Sequence, residues 1–324
     1  MLRPYQLLMA SLVIAVPAGA QSADTVRVAY SAARCSRCAK WNQPHAPFRI
    51  FANTWYVGTD GLSSILITSP RGHILIDGAL AMSAPLIVAN IQALGFRIED
   101  VKLLLNSHDH SDHAGGLAEL ARLSGARVAA SARSAPTLER GQSDPSDPQY
   151  GVVLPYPPVH VDQIVHDGQK LHVGPLTITA HLTPGHTPGG TSWSWRSCDT
   201  TSGPVGQLRG QPPLRSGQGH CVDIVYVDSQ SPASDDDFLY TRSTAYPNAI
   251  QDFEHGLALL DHLPCDILLT PHPEASDFWH RIALRDSGDT SALIDRSAMA
   301  KFVANARNDV AQRVLREEKG RVAP

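Results

Sequence analysis

The chain has 324 residues, 43% of them hydrophobic and 18% charged, so it can bury a sizeable core as one large or two ordinary domains. Its formal net charge is -4 and its pI about 6.4. No basic stripe interrupts that balance, which argues against nucleic acid as a partner.

The N-terminus reads as an export signal and not as part of the fold. Arg3 gives a positive start, and Leu7 to Val16 is apolar but too short to span a bilayer. Pro17 breaks the run, and Ala18-Gly19-Ala20 supplies the small-residue pattern of a cleavage site. Cleavage is expected after Ala20, which leaves residues 21–324 as the mature chain. No second long apolar run follows, so the mature protein is expected to be soluble, and periplasmic or secreted. Five cysteines (Cys35, Cys38, Cys198, Cys221 and Cys265) suit an oxidising compartment. Their odd number leaves at least one thiol without an intramolecular partner. Cys35 and Cys38 form a lone C-x-x-C. It has no second pair for a zinc ribbon and no strand–helix frame for redox chemistry.

Residues 21 to about 48 are polar and irregular. Thr54 to Val57 and Ser64 to Thr68 then read as strands around a turn at Gly58 to Gly61. After a turn at residues 69–72, His73 to Asp77 is a third strand, ended by Gly78. Ser83 is a fair N-cap for a helix with Ile87, Ile91 and Leu94 on one face, stopped by Gly95. Val101 to Leu105 is a continuous apolar run, the mark of a strand buried on both faces. Leu117, Leu120 and Ala121 give a short helix before Gly125, and Arg127 to Ala130 resumes strand character. Residues 141–158, rich in Pro, Asp and Gly, form a long loop of the kind that is often functional.

The second half repeats the habit. Strands are predicted over 176–180, 191–195, 223–227 and 266–269, with a helix on Ile250, Phe253, Leu257 and Leu260. Met299, Phe302, Val303, Ala306, Val310 and Val314 mark a long amphipathic helix. Two runs of strands, each with helices appended, predict two sheets packed face to face under outer helices. No low-complexity linker separates the halves, so residues 21–324 read as one domain.

Directly after the 101–105 strand comes His108-Asp109-His110-Ser111-Asp112-His113, an H-x-H-x-D-H motif. Imidazole is a borderline ligand that suits zinc, and Asp112 and His113 can reach a second ion beside the first. Asp109 and Ser111 read as spacers. Gly115 and Gly116 let the backbone turn into the next helix without side-chain crowding. The chain has 15 histidines, and an isolated one is usually not a ligand. Four ligand-type side chains in six residues at a strand end are different. Two more histidines sit in tight Gly/Pro loops: His186 in Thr183-Pro184-Gly185-His186-Thr187-Pro188-Gly189-Gly190, and His272 in Thr270-Pro271-His272-Pro273.

With Tyr56-Val57-Gly58, Leu75-Ile76-Asp77-Gly78 and Asp228-Ser229-Gln230-Ser231, these stretches resemble the subclass B3 metallo-β-lactamases, within the metallo-β-lactamase fold superfamily. The resemblance runs from about Trp41 to the C-terminal helix. It implies an α/β fold, a four-layer αββα sandwich with the site at one edge of the two sheets. It assigns His108, His110 and His186 to a first zinc and Asp112, His113 and His272 to a second. It makes Asp77 a carboxylate that orients the metal loop, gives Ser229 a place supporting the metal site, and gives Ser231 a share in holding the substrate carboxylate. The reaction implied is opening of a small-molecule β-lactam by a metal-bound hydroxide that Asp112 helps orient, conferring antibiotic resistance.

Asp228 stays ambiguous, since thioester hydrolases of the fold bridge their metals with an aspartate at the end of this strand. Cys221, seven residues earlier, belongs at the strand's other end. Cys198 and Cys221 flank an insertion between two strands that should pair, so a disulfide is expected there. Cys265 matches a family cysteine whose partner is missing from the C-terminal helix. Gln149 and Tyr150 are candidate substrate contacts. The serine routes are excluded by the absence of S-x-x-K and G-x-S-x-G. Another two-metal hydrolase of the fold, or a zinc-binding protein without catalysis, remain as competing readings, and nothing demands more than a monomer.

Overall fold

The apolar runs that read as doubly buried strands lie at the centre of two sheets. A computed structural model describes residues 35–199 and 220–320. The expected export signal, 1–20, and residues 200–219 of the insertion lie outside the described residues.

The first sheet runs in chain order through β1 (Phe48–Phe51), β2 (Thr54–Tyr56), β3 (Ile65–Ile67), β4 (His73–Ile76), β5 (Val101–Leu105), β6 (Arg127–Ser131) and β7 (Gln163–Val165). It is antiparallel from β1 to β4 and parallel from β4 to β7. The second contains β8 (Lys170–Val173), β9 (Leu176–Leu182), β10 (Thr191–Asp199), β11 (His220–Tyr226) and β12 (Ile267–Leu269), in the spatial order β12-β11-β10-β9-β8. Only β11 and β12 run parallel in it.

Side chains alternate across each strand. Ile74, Ile76, Leu103 and Leu105 face the second sheet, where Ile178, Trp193, Ile224 and Tyr226 meet them in one buried cluster. Leu75 and Leu104 point the other way, onto Ile87 and Ile91 of α2 (Ala84–Ala93) and Leu117 and Leu120 of α4 (Leu117–Ser124). Val225 and Leu268, on the far face of the second sheet, pack under α6 (Ala249–Asp261) and α8 (Ala298–Lys319). The layers are therefore helix, sheet, sheet, helix, as the resemblance implies. Each such buried Ile or Leu contributes roughly 1.5–3 kcal/mol.

Some local expectations change. The polar stretch before residue 48 contains a short helix, α1 (Cys38–Trp41), whose Cys38 is buried. Ser83 stands at the N-cap position of α2 as expected, but its Oγ donates to Asn42 Oδ1 at 2.5 Å and makes no capping bond, and Pro85 lies in the first turn. The strand expected through Asp77 stops at Ile76, and Asp77 turns left-handed at φ 60°. Short elements escaped the pattern: β1, β7, β8, α3 (Ser111–Ala114), α5 (Ala135–Arg140) and α7 (Phe278–Asp286).

Cys198 and Cys221 are cross-strand partners of β10 and β11 and form a disulfide. A second disulfide joins Cys35 and Cys38, leaving Cys265 as the free thiol, its pKa pushed up to about 12 by burial. Among the described residues no helix is long and apolar enough to cross a membrane.

Candidate metal centre

The loops that follow β4, β5, β9, β11 and β12 converge on one edge of the sandwich. Where β5 ends, Asn106 and Ser107 hand the chain to the histidine motif. Their carbonyls accept from Trp193 Nε1 (3.1 Å) and Thr191 N (2.7 Å), which ties the loop to the second sheet. Asp77, beside them at the end of β4, holds the loop from below. Its carboxylate accepts from Ser107 N, Ser107 Oγ and Tyr226 OH, each at 2.7 Å. Burial nonetheless raises its pKa. Chain packing here leaves no room for a β-carbon: one on Gly116 would lie 2.2 Å from the Gly78 carbonyl, and one on Gly190 2.3 Å from Asp228 Oδ2.

The structure gathers two three-residue sets, His108, His110 and His186, and Asp112, His113 and His272. Within each set the ligand-type atoms lie within 4.8 Å of one another. The histidines of the first set each have one ring nitrogen engaged. His108 Nδ1 donates to Asp228 Oδ1 at 2.7 Å, His186 Nδ1 to the Ser231 carbonyl at 2.8 Å, and His110 Nε2 to Asp147 at 3.1 Å. His108 Nε2 is then left buried with no partner. In the second set Asp112 Oδ2 lies 3.4 Å from His113 Nε2 and 3.3 Å from His272 Nε2, while His272 Nδ1 lies 3.3 Å from the Gly61 carbonyl. Imidazoles oriented through their far nitrogen are the usual arrangement around a bound metal.

Electrostatics divide the same residues. Burial drives His108 well below the ordinary histidine pKa and takes His186 down to about 3. Burial acts the same way on His110, but the Asp147 carboxylate outweighs it and lifts the pKa to about 9. Asp112 is held well below the carboxylate range: burial opposes this, and His113 and His272 overcome it. Asp228 is raised well above that range by burial.

Asp228 stands behind His108, not between the two sets, and Gly190 makes the space for it. Ser231, not Ser229, touches a histidine, through its carbonyl and with its Oγ 3.3 Å from His186 Nδ1. Ser229 lines the cleft. Gln149 reaches the centre, its amide nitrogen 3.5 Å from His110 Nδ1 and from His186 Nε2. Tyr150 does not; it is 43% exposed and lines a neighbouring hollow with Phe238 and Arg242. Asp109 is more than a spacer. It is buried, accepts from Ser134 Oγ (3.1 Å), and its carbonyl accepts from Tyr156 OH (2.8 Å).

The sequence reading missed Asp147 and Tyr226. The signal for Asp147 was the Asp-rich loop itself, but nothing in that loop tells which aspartate turns inward. The six ligand-type residues open onto a cleft of 520 Å³ walled by Trp41, Gln149 and Ser229. A larger hollow of 750 Å³, near Lys170 and Arg196, lies away from them.

Residues 57–200 match the model of the metallo-beta-lactamase superfamily. The solved structure of the Rm3 metallo-beta-lactamase is 50% identical, covers 88% of this chain and 99% of its own, and superposes with a TM-score of 0.80. MEM-A1, a subclass B3 metallo-beta-lactamase from a soil metagenome library, is 43% identical over 86% of this chain and 99% of its own, with a TM-score of 0.77. The lactamase-like protein adaB of Aspergillus niger is 32% identical over 134 residues, 41% of this chain. The match spans about a third of the length of such curated relatives, 32%. The chain belongs to the metallo-β-lactamase superfamily and, within it, to subclass B3.

Proposed function

We propose that the protein is an exported, zinc-dependent β-lactamase that confers resistance on its host. The observation that carries this is the paired ligand sets: within each, the ligand-type atoms lie within 4.8 Å of one another, and every histidine of the first set is held through its far nitrogen. The orphaned, fully buried His108 Nε2 fits a metal, since an unpaired buried nitrogen would otherwise be costly. Imidazole and carboxylate donors suit zinc, with His108, His110 and His186 as one set of ligands and Asp112, His113 and His272 as the other. Zinc bound there supplies a Lewis acid for the lactam carbonyl and a water that ionises near neutral pH.

The chain's own residues do the rest. Asp112 stays ionised and stands at the cleft wall, where it orients the attacking water. Asp147, Asp228 and the Ser231 carbonyl hold ligand side chains in place, and Asp77 holds the loop that carries them. Gln149, Ser229 and Ser231 meet the substrate. Asp228, placed behind His108, favours this reading over a thioester hydrolase with a bridging aspartate. Residues 1–20 act as the signal peptide, and 21–324 form one domain that works as a monomer in the periplasm or outside the cell.

Purified protein supplied with zinc is expected to open a chromogenic cephalosporin and a carbapenem. A chelator should abolish this, and zinc should restore it. A zinc-loaded protein that turns over neither compound would overturn the proposal.

A further inference from the structure

The C-x-x-C pair, which the hydrolytic centre does not use, forms one wall of the same cleft. Cys35 and Cys38 are bonded, Cys38 is buried in the main core, and Cys38 N lies 3.0 Å from Cys35 Sγ. At the other end of α1, the Trp41 carbonyl accepts from Thr59 Oγ1 (2.7 Å) and Gly61 N (3.2 Å). The backbone of this short segment is thus fixed at both ends. It carries Ser36 and Arg37, both exposed and both lining the cleft beside the six ligand-type residues. The Arg37 guanidinium sits 5.9 Å from the centre of the Trp41 ring, and that ring lies 5.0 Å from the His272 ring.

Arg37 is the one lysine or arginine among the described residues that line the cleft. No carboxylate pairs with it among the described residues. Penicillins, cephalosporins and carbapenems all carry an ionised carboxylate next to the lactam nitrogen. A substrate whose carbonyl meets the ligand sets must bring that carboxylate to the cleft wall a few bonds away. Ser231, expected to share in holding it, can offer one neutral hydroxyl donor and no charge, its carbonyl being on His186. A guanidinium offers paired donors matched to a carboxylate, together with a permanent charge.

Resting on the β-lactamase reading above, we propose that Arg37 binds the carboxylate beside the scissile amide and sets specificity for anionic substrates, and that the Cys35–Cys38 disulfide holds it at the rim.

The test compares a cephalosporin with its carboxylate methyl ester, on full-length zinc-loaded protein. Arg37→Ala should raise KM for the acid about threefold to fivefold, and Arg37→Glu about tenfold, with kcat falling by less than KM rises. Arg37→Lys should recover part of the loss. KM for the ester should move less than twofold in all three variants. At about 1 M salt the wild-type preference for the acid should shrink, since the charge is exposed. The Cys35→Ser/Cys38→Ser variant should show a smaller KM rise for the acid alone. Zinc-to-protein ratios report whether each variant has built its centre. Unchanged KM for the acid in both Arg37→Ala and Arg37→Glu, or equal shifts for acid and ester, would overturn the inference. A wild-type protein that binds zinc but opens neither compound would instead remove the parent reading, and this one with it.

Discussion

The two ligand sets differ by one donor, three imidazoles in the first against two imidazoles and a carboxylate in the second, and they also stand in different surroundings. In the first, the His108 side chain is 1% exposed and its partner Asp228 fully buried. In the second, the His272 side chain is 31% exposed and Asp112 15%. The first set is braced by two carboxylates and a carbonyl on its outer nitrogens, at 2.7 to 3.1 Å. The second has a carbonyl at 3.3 Å behind His272, and His113 Nδ1 stands 4.0 Å from Asp77 without a hydrogen bond. Ligands held in advance lose little freedom when a metal arrives, and buried ones are shielded from competing water. The first site should therefore hold zinc more tightly, and the second should be the one that empties under mild chelation.

The largest break in this comparison is His186→Ala. It takes a ligand from the rigid set, and zinc affinity there should fall by more than about a hundredfold, with β-lactam turnover lost alongside. His272→Ala should remove zinc from the looser set alone, leaving one equivalent bound. Metal-to-protein ratios after dialysis against a graded chelator separate the two. Equal loss of both equivalents in either variant would show that the sets are not independent.

Asp228→Asn and Asp147→Asn test the bracing without touching a ligand. Each keeps the side-chain shape but replaces the carboxyl group that orients an imidazole with an amide, and first-site affinity should drop about 10- to 100-fold. Asp228→Asn should act more strongly, because its contact is shorter, 2.7 Å against 3.1 Å, and its carboxylate is fully buried. Cobalt substitution offers a visible spectrum that should change for the first site and stay constant for the second. An unaltered first-site spectrum and affinity in both variants would mean that burial alone holds the rings.

How far these sites were legible follows from distance along the chain. His108 to His113 could be read because four ligand-type side chains fall within six residues after an apolar strand. His186 and His272 could be read because each sits in a Gly/Pro loop with few other reasons to hold an imidazole. Asp147 could not, since the loop offers several aspartates and its partner His110 is 37 residues away. Asp228 was visible as a residue but not as a contact. Only the fold, which brings His108 Nδ1 to 2.7 Å from its carboxylate across 120 residues of chain, shows that it backs His108. The central strands were legible from continuous apolar runs, whereas β7, β8 and α7 are too short or too mixed for a period to emerge. Ser83 was legible as the N-cap position, but not its hydroxyl's partner, because Asn42 lies 41 residues away.

The smallest expected change concerns the metal-free protein and its pH dependence. His108 and His186 are neutral in the fold because burial lowers their pKa, to about 3 for His186. Below about 6.5 the unfolded chain binds protons that the fold refuses, so stability falls as pH drops through that range. His110 works in the opposite sense. Burial disfavours its charge, but Asp147 outweighs burial and raises the pKa to about 9. Its stabilisation is fully present below the unfolded value near 6.5 and is lost as pH rises toward 9. Metal-free stability should therefore pass through a maximum near pH 6.5 and decline by about 2 kcal/mol by pH 9. Denaturant unfolding of chelated protein at closely spaced pH values measures the curve. In Asp147→Asn the alkaline decline should flatten while the acid side stays. Zinc adds a slope of its own, because His110 must release its proton to bind, so the stabilisation zinc confers should grow from pH 6.5 to 9. An alkaline decline that persists in Asp147→Asn would assign it to another group and remove the electrostatic half of the bracing attributed to this loop.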